Sequence, residues 1–360
     1  MDRERVSDYH IDDLLRIAAS RRASDLHLTV GLPPQLRVDG RLASTNFEPV
    51  QPEDTQRMIY DILSDRQITD FERTHELDLS YGISGVGRFR VNIFMQRGCI
   101  SGAFRMIPTQ IPSFQELNLP PILRDLSAHS SGMILVTGPT GCGKSTTQAT
   151  MINHINHTRQ CHIVTIEDPI EYLHSHKKCM INQRELGSDT YGFAPALRSV
   201  LREDPDVILV GEMRDLETID AALTLAETGH LVFGTLHTRS AAQSIDRIVD
   251  VFPPHQQEQI RVLLANTVDA IIAQQLLPRQ TGVGRVPAVE IMIANAAVRN
   301  LIRDNKSYQI PSLIETGVQQ GMQTMDRALA ELVRRGIVSF EEALARTIDT
   351  DNFNRLLKTV

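Results

Sequence analysis

Residues 135–147, LVTGPTGCGKSTT, decide how at least the second half of this 360-residue chain folds. Gly138-Pro-Thr-Gly-Cys-Gly143-Lys144-Ser145 has the spacing G-x-x-x-x-G-K-[ST], and the apolar run Met133–Val136 ahead of it reads as a buried strand. Glycines that turn a strand into a helix let successive backbone N–H groups curl around phosphate oxygens. Lys144 adds a point charge, and the Ser145 hydroxyl can ligate Mg2+. A glycine-rich turn with a solvated lysine shares part of this pattern. The full spacing in a strand-loop-helix context instead predicts a nucleotide site made by Gly138, Thr140, Gly141, Cys142, Gly143, Lys144, Ser145 and Thr146.

Downstream, the strand candidates His162–Ile166, Val207–Val210 and Leu231–Gly234 alternate with helical stretches, as in a mainly parallel sheet with helices on both faces. Strand carboxyl ends in such sheets converge on the ligand crevice. Hydrolysis needs an oriented water and stabilised phosphoryl charge, so acids at those ends matter. VTIEDPIEY puts Glu167 and Asp168 after one apolar run, and DPDVILVGEMRD puts Glu212 just past another. Strand-end acids also serve as helix caps, but two at equivalent positions beside a phosphate loop favour chemistry. GHLVFGTLHT carries His230 and His237 on either side of an apolar run, with no compact metal spacing. His174 and His176 in YLHSHKK read as a loop.

Upstream the pattern is different. Ile11, Leu14, Leu15 and Ile17 share one face of a short helix, and LHLTV, QLRVDGRL, HELDLSYGI, GRFRVNIFMQ and CISGAFRMI follow as strands. Asp39-Gly40 offers a hairpin turn, and the segment Pro52–Arg73 reads as a helical cover. An antiparallel meander is the outcome. Residues 107–121, with four prolines in fifteen residues, read as a connection between a first domain (1–106) and a second (122–360).

Composition narrows the function classes. Two domains suit the length, since single cores seldom exceed roughly 250–300 residues. The 37 basic and 44 acidic residues give a formal charge of −7, a poor footprint for stable nucleic-acid binding. Cys99, Cys142, Cys161 and Cys179 include no C-x-x-C pair, which fits a reduced compartment. The charged MDRERVSDYH start and the lack of an eighteen-residue apolar run predict no signal peptide and no direct membrane insertion.

Four ordered stretches, the phosphate loop, TIEDPIE at 165–171, DVILVGEMRD at 206–215 and GHLVFGTLHT at 229–238, resemble the Walker A, Asp box, Walker B and His box of the secretion ATPases that power type IV pili. ASDLHLTVGLPPQLRVDGRL, GRFRVNIFMQRG and AVRNLIRDNK extend the likeness over nearly the whole chain, toward the retraction branch. The four-cysteine zinc motif and long extra N-terminal region of the extension ATPases are missing. The resemblance implies an α/β chain: an N-terminal α+β PAS-like domain, then a RecA-like P-loop NTPase domain with a mainly parallel sheet and C-terminal helices. It implies a homohexamer using ATP and Mg2+ for pilus retraction, cytoplasmic and held at the inner membrane by a pilus platform protein.

By the same resemblance Lys144 and Ser145 serve phosphates and Mg2+, and Glu167 serves the metal directly or through water. Glu212 becomes the catalytic carboxylate, His230 and His237 sense the γ-phosphate or the subunit interface, and Arg88, Arg90 and Arg105 reach the nucleotide. AVRNLIRD corresponds to a stretch linked to retraction, though Val298, Leu301 and Ile302 also make an ordinary apolar stripe with Arg299 and Arg303 opposite. Cys142 stands where the family usually has serine, at a variable loop position. Two other readings fit a phosphate loop: a nucleotide-gated switch without turnover, which would not need Glu167 and Glu212, and a nucleic-acid translocase, which the charge disfavours.

Overall fold

In the computed structural model, residues 4–38 and 40–358 are described. The chain forms two compact units, Met1–Thr109 and Gln110–Val360. In the first, strands β1 (Asp25–Leu28), β2 (Gln35–Val38), β3 (Arg41–Ser44), β4 (Glu76–Ile83), β5 (Gly87–Gln96) and β6 (Cys99–Met106) form an antiparallel sheet ordered β3-β2-β1-β6-β5-β4. Side chains alternate across it. Leu26, Leu36, Phe89, Val91 and Phe104 turn inward against helices Ile11–Ser20, Pro52–Tyr60 and Asp65–Thr74. Ile11, Leu14 and Leu15 anchor the first helix. The expected cover at 52–73 is thus two helices, the second capped by Ser64. At the β2–β3 hairpin Val38 faces Arg41 and Gly40 has φ +80°; Asp39 lies outside the described residues.

The second unit holds β7 (Gly132–Thr137), β8 (His162–Glu167), β9 (Met180–Glu185), β10 (Val207–Val210), β11 (Leu231–Leu236), β12 (Val268–Pro278) and β13 (Arg285–Ile293). Their order is β13-β12-β7-β11-β10-β8-β9, parallel except for β13. Helices cover both faces. Met133, Leu135, Val164 and Ile208 belong to one core, while Ile134, Val136, Ile163 and Leu209 belong to the other. Burial on both sides is why these strands read as unbroken apolar runs. A third cluster joins Leu277 and Val286 to the C-terminal helices Met325–Arg334 and Thr350–Lys358 through Leu329 and Phe353.

The segment read as a connection, 107–121, divides in two. Ile107 N–H donates to Arg88 O within the first unit, whereas Phe114 and Leu119 are buried in the second unit's core and Thr150 donates to Pro112 O. In helix Ala296–Arg303 the stripe is present, with Val298 and Ile302 buried. Arg299 departs from its expected solvent face: it donates to Asp269 Oδ1 at 2.9 Å and to the carbonyl of Asn266 at 3.0 Å.

Candidate active site

The buried strand β7 delivers its chain directly into Gly138–Gly143, and helix Lys144–Thr158 leaves from there. Gly138, Gly141 and Gly143 all have positive φ, and Gly143 is the helix N-cap. At Gly138 the need for glycine is absolute, because a Cβ would lie 2.3 Å from the backbone oxygen of Gln274 on β12. Gly138 N–H donates to Leu236 O, tying the loop to β11. Lys144 Nζ folds back to donate to the carbonyls of Gly138 (2.9 Å) and Pro139 (3.1 Å). Ser145 is exposed on the first helical turn, where unpaired N–H groups and the helix dipole favour anions. Cys142, within the loop, is buried, and burial pushes its thiol pKa up.

Glu212 stands just beyond β10, and His237 just beyond the adjacent β11. His237 Nε2 donates to Glu212 Oε1 at 2.7 Å, and Arg214 Nε donates to the same oxygen. Burial works to raise the Glu212 pKa, but the hydrogen bonds from Arg214 and His237 outweigh it and hold the carboxyl below its usual range. Since β11 lies between β7 and β10, the pair is at the same sheet edge as the loop, one and two strand spacings away, about 5 and 10 Å.

Glu167 ends β8, one strand further out. It is buried, accepting at Oε1 from Thr165 Oγ1 (2.7 Å) and Gln183 Nε2 (3.2 Å), and burial drives its pKa up. Gly211 packs closely on its backbone, since a Cβ there would sit 3.0 Å from Glu167 Cα. The chain after Glu167 then returns to the phosphate loop's helix, where the Tyr172 hydroxyl meets Thr146 Oγ1 at 3.0 Å.

His230, expected near the γ-phosphate or at a subunit interface, does not join this cluster within the chain. It precedes β11, and its carbonyl accepts from Gly132 at the start of β7. It is therefore at the opposite sheet edge from Gly138, with its ring Nδ1 on Leu225 O and Thr228 Oγ1. Arg88, Arg90 and Arg105 belong to the first unit. They occupy the polar sheet face opposite its core, with Arg90 paired to Arg105 across β5–β6 and Arg105 donating to buried Asp25 at 2.8 Å. His174 is a loop residue whose pKa burial lowers to about 4.

This geometry has known counterparts. The profile of the Type II/IV secretion system protein family matches residues 103–345. The chain belongs to that family. It is a PilT-like secretion ATPase: it is 51% identical to the type IV pilus retractation ATPase PilT of Pseudomonas aeruginosa over 95% of this chain and 99% of that one. It is 49% identical to a twitching motility protein of Neisseria gonorrhoeae, covering 96% and 92%. The crystal structure of the pilus retraction motor PilT with bound ADP superposes with a TM-score of 0.89 at 50% identity, covering 96% of this chain and 99% of that one.

Within this secretion ATPase, motif reading misses three residues that brace the site. Arg214 is two residues past Glu212, where GEMRD carries a visible charge but no spacing rule. Gln183 and Gln274 lie on β9 and β12. For Gln274 a buried amide inside a mostly apolar strand is the one available signal, and it says that a partner exists without saying which.

Proposed function

We propose that this chain is the motor subunit of a type IV pilus retraction machine, hydrolysing MgATP to drive pilin disassembly. The observation that carries this reading is the Glu212–His237 pair at the same sheet edge as the phosphate loop: a pure nucleotide switch has no need of an ionised carboxylate there. The glycines and helix N-terminus of 138–146 cradle the phosphates, with Lys144 neutralising charge. The exposed Ser145 hydroxyl, an oxygen donor, suits Mg2+, which screens phosphate charge when bound. Glu212, its Oε1 occupied by His237 and Arg214, presents Oε2 to the attacking water and accepts its proton. Glu167 would serve the metal, directly or through water, when it is bound, and His237 reports loss of the γ-phosphate through its bond to Glu212. Arg88, Arg90 and Arg105 are the first unit's candidates for neutralising nucleotide charge, supported by their shared polar face.

The working form is a homohexamer at the cytoplasmic side of the inner membrane, docked on a pilus platform protein. The near-full-length likeness to PilT and to a twitching motility protein supports this assignment, and among the described residues no helix is long and apolar enough to cross a membrane. Expression in a twitching bacterium deleted for its own retraction ATPase tests it. Restored twitching by the parent and none by Lys144→Ala supports the proposal; a stable, ATP-hydrolysing parent that leaves the pili extended overturns it.

A further inference from the structure

Gln274 lies on β12, the strand next to β7, and is 2% exposed. A buried primary amide must find partners for both its ends. Here both partners belong to the phosphate loop and its helix. Thr147 Oγ1 donates to Gln274 Oε1 at 2.8 Å, and Gln274 Nε2 donates to the carbonyl of Cys142 at 2.6 Å. The backbone of Gln274 meets the other end of the loop, since its oxygen is the atom a Cβ at Gly138 would strike, and Nε2 is 3.0 Å from where a Cβ at Gly143 would stand. Entrance and exit of the loop therefore rest on one residue of a neighbouring strand, about 130 positions away in sequence.

Peptide geometry gives this contact a consequence for binding. A peptide unit is planar and trans, so the Cys142 carbonyl and the Gly143 N–H point in opposite directions. Drawing the carbonyl toward Gln274 turns that N–H away from β12, to the concave side of the loop. Among the described residues the Gly143 N–H donates to no backbone carbonyl. The direction of the amide is itself fixed. The Cys142 carbonyl can only accept, so Nε2 must face the loop, and Oε1 is left to accept from the Thr147 hydroxyl.

We propose that Gln274 is a positioning residue for the nucleotide's phosphates: it sets the tilt of the Cys142–Gly143 peptide and hence the aim of the Gly143 N–H, and the Thr147 hydroxyl anchors the other end of the amide. The inference rests on the reading of the loop as the nucleotide site. Glutamate is no substitute, because its second oxygen would oppose the Cys142 carbonyl with a like partial charge. Leucine fills the space and leaves the carbonyl unpaired.

Calorimetric titration of the full chain with MgADP tests the assignment, with circular dichroism to verify folding. Gln274→Leu should raise Kd about tenfold, the order expected for one buried hydrogen bond and its orphaned partner. Gln274→Glu should lose at least as much. Thr147→Val should weaken binding, and Thr147→Ser, which keeps the hydroxyl, should restore it to within about twofold of the parent. In steady-state turnover KM should rise by the same factor as Kd, and kcat by less change. A folded Gln274→Leu that binds MgADP as the parent does overturns the proposal, as does a loss confined to kcat. If the Gln274 variants do not fold, the Thr147 pair decides, and equal affinities for valine and serine overturn it. A parent that binds no MgADP brings down the nucleotide reading first and this inference with it.

Discussion

Glu212 is kept ionised by its two neighbours, and this makes its protonation a measurable handle on the chemistry. Removing Arg214 takes away a hydrogen bond and a positive charge that both favour the carboxylate, so the pKa rises. The acid limb of kcat/KM in Arg214→Ala should move to higher pH. A pH–rate profile checks this, and superimposable acid limbs would show that Arg214 does not tune Glu212. Glu167 has the opposite sign. Burial raises its pKa in the folded state, so the fold binds that proton more tightly than the unfolded chain. Its ionisation therefore subtracts stability as pH rises above the unfolded value. Glu167→Gln keeps the shape and the acceptor for Thr165 and Gln183, so thermal melting at pH 8 should rise by about 2–4 °C even as turnover is lost. A lower melting point would contradict the assignment. His230 and His237, on either side of an apolar run, are seven positions apart, which along a strand spans about 23 Å, one sheet edge to the other.

Among the elements, the phosphate loop is the easiest to read and the least tolerant. Gly138→Ala drives a Cβ into the backbone of β12, whereas Gly141→Ala meets no atom within 4 Å and costs only its left-handed backbone, about 1–2 kcal/mol. Paired melts should therefore show Gly138→Ala as clearly the more damaging; equal losses would mean that β12 yields easily. The C-terminal helices depend on a different device. Buried Asp326 accepts from Thr347 Oγ1 and from the backbone N–H groups of Ile348 and Asp349. Asp326→Ala leaves those donors without their acceptor, and hydrogen exchange over 346–358 should accelerate while the central strands stay protected. Unchanged exchange there would refute the latch. Strands β7, β8, β10 and β11 were legible because each is a short apolar run bounded by turn residues. Strand β9, MINQRE, is half polar, and β12, VDAIIAQQLLP, is an eleven-residue, mostly apolar stretch whose length suits a helix as well as a strand. Only pairing with β7 and β13 decides it, and that pairing is nonlocal.

For the whole molecule, sequence carried the class and the two-part organisation because the switch from period-two alternation to buried runs separated by helices falls near residue 110. It could not carry which side chains meet across distant strands. The Glu212–His237 bond and the Gln274 brace are products of the strand order β12-β7-β11-β10, which no local pattern encodes. The charge of −7 makes a further prediction at this scale: DNA should not stimulate turnover, and clear stimulation would favour a translocase. The central claim is that Glu212 performs the chemical step at a phosphate loop built around Lys144. Steady-state phosphate release from MgATP by the parent, Lys144→Ala and Glu212→Gln tests it most directly. Turnover in the parent, lost in both variants while Glu212→Gln still binds ATP, is the predicted result; Glu212→Gln turning over at the parent's rate would contradict it.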